Sequence, residues 1–139
     1  MRARAVAPLV AIVLLAGGCG TNPRHQLAVS SQVVASSLFA AQDAEQALYT
    51  AGRITPAQHM RLNQHLVVAL TLGREFNIAV RAWDPGQPLP SQLEKLKGSL
   101  LAITGELASG YPEEVRGQLL ATITATYDAI LACLVAAAS

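Results

Sequence analysis

Charge is scarce in this 139-residue chain: 10 Lys+Arg stand against 9 Asp+Glu, and charged residues total 14%. The formal net charge of +1 supplies no surplus of cations to displace phosphate counterions, which argues against a nucleic-acid binder. Like charges form no runs, so neither a polybasic membrane patch nor an acidic tail is present. The 2 cysteines are too few for a disulfide scaffold or a cysteine-based zinc site. Period-two alternation never lasts long enough for a strand, and no internal repeat or low-complexity segment occurs. Also missing are a Gly-x-Ser-x-Gly elbow, a His-Glu-x-x-His helix and a phosphate-cradling glycine loop. The expectation is a protein that is not an enzyme and carries no metal or cofactor.

What the chain does have is apolar surface. Hydrophobic residues make up 52%, far above what a disordered tail holds. The length allows one domain, or one domain plus a targeting segment.

The N-terminus reads as such a segment. Met-Arg-Ala-Arg precedes an apolar run over residues 5–15, followed by Ala16-Gly17-Gly18-Cys19. Positive charge, a short apolar stretch and small residues, in that order, make a secretory signal peptide. Residues 5–18 are 14 uncharged positions, fewer than the roughly 20 a bilayer-spanning helix needs. The stretch Leu15-Ala16-Gly17-Gly18-Cys19 resembles a bacterial lipoprotein signal, with Ala16 where the commonest form of that box has Leu. The resemblance covers the signal alone and implies cleavage of residues 1–18 and attachment of diacylglycerol and palmitate-type chains to Cys19. Ordinary signal peptidase also accepts Ala16-Gly17-Gly18, with cleavage at the same bond. Gly20 is not the aspartate that the family pattern associates with inner-membrane retention. In a host with two membranes, the resemblance therefore implies the periplasmic face of the outer membrane.

Cleavage would remove Arg2 and Arg4 and leave 121 residues carrying 8 basic and 9 acidic side chains. Helix signals divide this part of the chain, residues 19–139, clearly. Asn22-Pro23 offers an N-cap with proline at the first helical position, and Gly52 a left-handed stop. Leu27, Val34, Leu38, Ala41 and Leu48 share one face. Thr55-Pro56-Ala57-Gln58 is a capping box. After it, Leu62, Leu66, Leu70, Gly73, Phe76, Val80 and Trp83 recur at helical spacing. Residues 84–90 hold three prolines and a glycine and form a loop. Ser91-Gln92-Leu93-Glu94 reads as a second capping box, opening a seam of Leu93, Leu96, Leu100, Ile103 and Leu107. Gly110 ends that helix. Pro112-Glu113-Glu114 opens the last, whose stripe is predicted as Leu119, Ile123, Tyr127, Ile130 and Leu134.

The pattern predicts an all-α, antiparallel up-down-up-down four-helix bundle, with helices at about residues 23–51, 56–83, 92–108 and 112–137. With 25 alanines and only 4% aromatics, the helices are expected to pack closely and enclose little volume. The serine pairs 30–31 and 36–37 predict a narrow, partly polar face on the first helix. Just Gly20, Thr21 and Asn22 separate Cys19 from that helix, a reach of about 10 Å at 3.3–3.6 Å per residue. The bundle is thus expected to sit directly on a membrane. The start of the first helix, the 84–90 loop and the C-terminus would be near it, and the turns at Gly52-Arg53 and Gly110-Tyr111 far from it.

Candidate contacts follow from that placement. Trp83 at the near end is a possible membrane contact, since its ring is apolar with one polar edge, and the alternative reading is a core residue. Tyr49, Arg53 and Tyr111 at the far end are possible contacts for a protein partner or a second copy. His25, His59 and His65 read as surface residues too dispersed for a metal site. Asp43 and Glu45 are expected to face Arg61 and His65 as a salt-bridge belt. Cys133 reads as a packed thiol if Cys19 is acylated, and as a possible disulfide partner if it is not. The functional expectation is a small lipid-anchored binding or structural module of the cell envelope. The alternatives are a secreted carrier of an apolar ligand and a phage-type lysis lipoprotein.

Overall fold

A computed structural model describes residues 22–138. The signal segment and Cys19 lie outside the described residues. Helix α1 spans Pro23–Thr50, α2 Pro56–Ala79, α3 Gln92–Leu107 and α4 Glu113–Ala138, with a 3-10 turn at Val80–Ala82. No strand occurs among the described residues.

The helix ends show why these residues start and stop where they do. The Asn22 side chain accepts from the Arg24 amide at 3.1 Å, with Pro23 at the first helical position. Thr55 and Gln58 form the reciprocal capping box, at 3.1 and 2.9 Å. Gly52 takes φ +71°, the left-handed geometry that an L side chain resists, and turns α1 into α2.

Two boundaries differ from the sequence expectation. Ser91 already has helical φ/ψ and makes no side-chain cap, because a capping side chain reaches back to the helix only from extended backbone. The second helix does not run to Trp83. It tightens at Val80–Ala82, after which Trp83 turns extended and buries its ring.

Contacts between helices establish the topology. Ser31 accepts from Asn77 Nδ2 at 2.8 Å, tying the start of α1 to the end of α2. Ser37 and Thr126 hydroxyls share a hydrogen bond at 2.7 Å, and Arg53 meets Glu114 at 2.7 Å, so α4 runs antiparallel to α1. Helix α1 packs extensively on both α2 and α4, α2 packs on α3, and the α3–α4 seam is thinner. The fold is the antiparallel up-down-up-down bundle that the periodicity predicts. Every predicted stripe residue of the first three helices is buried, Phe76 and Leu96 completely. Where all four helices meet, Ala41, Leu62, Ile103 and Ile123 help line a void of about 10 Å³.

The stripe of α4 departs from expectation. Leu134 is 37% exposed, and Tyr127 is half-buried, while Thr126, Cys133 and Ala136 point inward. Leu119, Ile123 and Ile130 are buried as predicted. At the other two positions the inward residue is one earlier, Thr126 for Tyr127 and Cys133 for Leu134, which lets Thr126 meet the Ser37 hydroxyl at the α1 interface.

Small residues set the α1–α2 distance. A Cβ built on Gly73 falls 2.9 Å from Leu38 Cδ1 in the core, whereas Cβ atoms on Gly105 and Gly117 meet nothing within 4 Å. Gly73→Leu is expected to destabilise the bundle by about 2 kcal/mol or more through overpacking. Gly105→Ala with Gly117→Ala should instead stabilise it, by up to about 1 kcal/mol each. Urea midpoints of the three proteins check both signs.

Candidate functional site

The polar chemistry of the described residues concentrates at the far end, around the α1–α2 and α3–α4 turns. Its centre is Glu45, which sits between Ala41 and Leu48 on the inward face of α1 and is fully buried. Its Oε1 is hydrogen-bonded to His59 Nδ1 from the first turn of α2, and its Oε2 is buried with no hydrogen-bond partner. The His59 ring lies flat on Tyr49, with centroids 3.9 Å apart and planes 6° from parallel. Carboxylate and tyrosine thus hold one imidazole from two sides, fixing its tautomer and its plane.

A second polar group closes the α3–α4 turn. Glu106 Oε1 accepts from Arg61 Nε at 2.7 Å and from the Tyr111 hydroxyl at 2.8 Å. The Arg61 hydrogen bond, aided by the one from Tyr111, holds the Glu106 carboxyl below its ordinary range. Burial, then the adjacent carboxylate, raises the Tyr111 phenol well above its usual value. Gln58, having capped α2, also donates its Nε2 to the Gly110 carbonyl at 3.2 Å.

Of the residues singled out as partner contacts, Arg53 is exposed and paired with Glu114. Tyr49 is half-buried and occupied by the His59 stack. Tyr111 is 6% exposed and belongs to the core, a correction that follows from its hydroxyl finding Glu106 inside the turn. Trp83 is a core residue, as its place in the second-helix stripe predicts, and not a membrane contact. It is 3% exposed, and its indole N–H donates to the Gln87 carbonyl at 3.0 Å.

The salt-bridge belt also changes partners. Glu45 pairs with His59 rather than with Arg61 or His65, and Arg61 reaches across to Glu106 on α3. His59 is therefore a held ring, whereas His25 is exposed. Cys133 is completely buried, and burial pushes its thiol up to about 12. No group of three or more metal-ligating side chains occurs among the described residues.

The Glu45–His59 pair was the contact hardest to foresee, yet a signal for it exists. The α1 stripe steps by seven positions from Leu27 to Val34 and again from Ala41 to Leu48. Those gaps hold Ser31 and Glu45, the two buried polar residues of α1.

Among the helices, α4 is long and apolar enough to cross a membrane, though only 39% of its most apolar stretch is buried. The apolar C-terminal helix is compatible with membrane association at that coarse level.

His59→Ala leaves the Glu45 carboxylate buried and unpaired. It is expected to cost about 3 kcal/mol, the low end of the range for broken buried pairs because 22% of the His59 side chain stays exposed. Glu45→Leu with His59→Phe should recover most of that loss in a double-mutant cycle by denaturant unfolding.

Acid titration checks the second group. A carboxyl with a depressed folded pKa stabilises fully above its unfolded value, 4.5, and loses that contribution as pH falls through the folded one. Wild type should therefore exceed Glu106→Gln in stability near neutrality, with the difference shrinking steadily as the pH drops below about 4.5.

No family model matches the chain, and comparison with curated proteins and with solved structures finds no match either.

Proposed function

We propose that this protein is a lipid-anchored module of the cell envelope that acts by binding or by scaffolding rather than by catalysis. The observation that carries the reading is the spacing between a candidate lipidated cysteine and a closed bundle. Cys19 stands three residues before Asn22-Pro23, where the cap of α1 begins to order the chain. A tether of about 10 Å allows the bundle no reach into the surrounding space and sets it against the leaflet.

Transfer energies of about 0.8 kcal/mol per buried CH₂ make two or three acyl chains effectively irreversible, whereas one is marginal. A compact body fixed in this way presents the same end to the compartment at all times. Here that end is the turn pair around Arg53 and Glu114, with Arg53 45% and Glu114 77% exposed. The partner on this reading is a protein or a second copy meeting those turns. A carrier role finds no support in the bundle's centre, where the void of about 10 Å³ compares with several hundred for a ligand pocket.

Intact mass and carbonate extraction of membranes test the anchoring. Wild type is expected to carry diacylglycerol and acyl mass on Cys19 and to resist extraction, while Cys19→Ser is extracted. A partner recovered from detergent-solubilised membranes with wild type, and lost with Cys19→Ser, would show that placement creates the interaction. A bare Cys19, or a wild type that washes off, overturns the reading.

A further inference from the structure

Helix α4 is apolar on two faces. Its inner face packs Ile130, Cys133 and Ala136 into the core, yet on its outer face Leu131 is 59% exposed, Leu134 37% and Val135 63%. A helix with apolar residues all round calls for a second partner, and α1 satisfies only the inner side. Asp128 is the last charged side chain in the sequence, so the final turns of α4 carry no ionised side chain.

The position of this stripe names its occupant. The Ser37–Thr126 and Arg53–Glu114 contacts set an antiparallel register that places Val135 level with about Ala28. Ala28 is five residues into α1, about 8 Å along the axis from Pro23 at 1.5 Å per residue. The three residues between Cys19 and Pro23 span about 10 Å, so an acylated Cys19 would hold the stripe within reach of the same leaflet.

Charge points the same way. Exposed Arg24, Arg81 and Lys95 stand here beside exposed Asp84 and Glu94, and exposed Asp43, Glu113 and Glu114 stand at the other end beside exposed Arg53 and Arg61. This end thus carries a slight basic excess and the far end a slight acidic one. Leu131 to Ala138 rises about 10 Å, the depth of interfacial burial and far short of a crossing.

We propose that the outward stripe Leu131, Leu134 and Val135 is a lipid-contact surface that sinks into the anionic leaflet bearing Cys19. The inference rests on the anchored reading above and supplies its second attachment point. The acyl chains alone would hold the protein, so what the stripe adds is orientation, fixing which face of the bundle meets the leaflet.

A depth measurement tests it. The full chain with Val135→Cys is labelled with an environment-sensitive fluorophore and placed in vesicles of phosphatidylethanolamine and phosphatidylglycerol containing nitroxide lipid. Met60→Cys at the far end, 63% exposed, serves as the reference. Cys133 is buried with its thiol pushed up to about 12, so it takes no label in the folded protein. Intact mass before labelling reads the state of Cys19, and a chain with bare Cys19 is measured as Cys19→Ser.

Several-fold stronger quenching at position 135 than at position 60 is the expected result. Equal quenching overturns the proposal, and with Cys19 acylated it leaves the anchor standing. Strong quenching at 135 in a chain whose Cys19 is bare supports the stripe and removes the anchor. A position-135 probe that is shielded from water but not quenched by nitroxide lipid, with Val135→Cys crosslinking to itself, assigns the face to a second copy and overturns the proposal.

Discussion

The bundle depends on α1 burying one seam between two neighbours at once. Leu27, Ser31, Val34, Leu38, Ala41, Glu45 and Leu48 alternate steps of four and three, and all seven are buried. Helix α2 contacts this seam from one side and α4 from the other, so a shift of α1 would disturb both interfaces together. Close approach is possible because Gly73 faces Leu38 without a Cβ. Dispersion falls steeply with separation, so that narrow spacing contributes packing energy that a wider bundle would forgo.

Two of the seven seam positions are polar, and each is answered across an interface. Ser31 takes a hydrogen bond from Asn77 near the start of α1, and Glu45 engages His59 near its end, both across the contact with α2. Ser37, beside the seam, meets Thr126 of α4. Apolar side chains accept many registers at similar energy, whereas a buried hydroxyl or carboxylate accepts few, because leaving it unsatisfied is costly. These pairs lock the sliding of α2 and α4 along α1. That locked register also brings the outer apolar face of α4 to the end of the bundle from which Cys19 leads away.

Much of this was readable in advance. Caps at Asn22 and Thr55, the proline-rich 84–90 loop and the 3–4 spacing of leucines are local signals, and local signals survive into the fold. The boundary of α2 and the silent Ser91 cap were not readable, because the first follows from Trp83 turning extended to bury its ring and the second from the helical backbone angles that Ser91 adopts. Residue type pointed to Tyr111 as a surface contact and offered the surface as one of two places for Trp83. Each carries one polar atom, and the fold satisfies that atom internally, at Glu106 and at the Gln87 carbonyl. An aromatic with its polar atom satisfied loses its reason to be outside.

By itself the sequence determined the four helices, their antiparallel order and the inward face of the first three, since hydrophobic period and turn chemistry are properties of neighbouring residues. Only the tertiary structure decided which charges pair, which aromatics are buried and which way α4 is rotated. A one-residue slip of a helix face changes little in its local energy. The choice falls to partners distant in the chain, here a serine on α1 meeting a threonine 89 positions later.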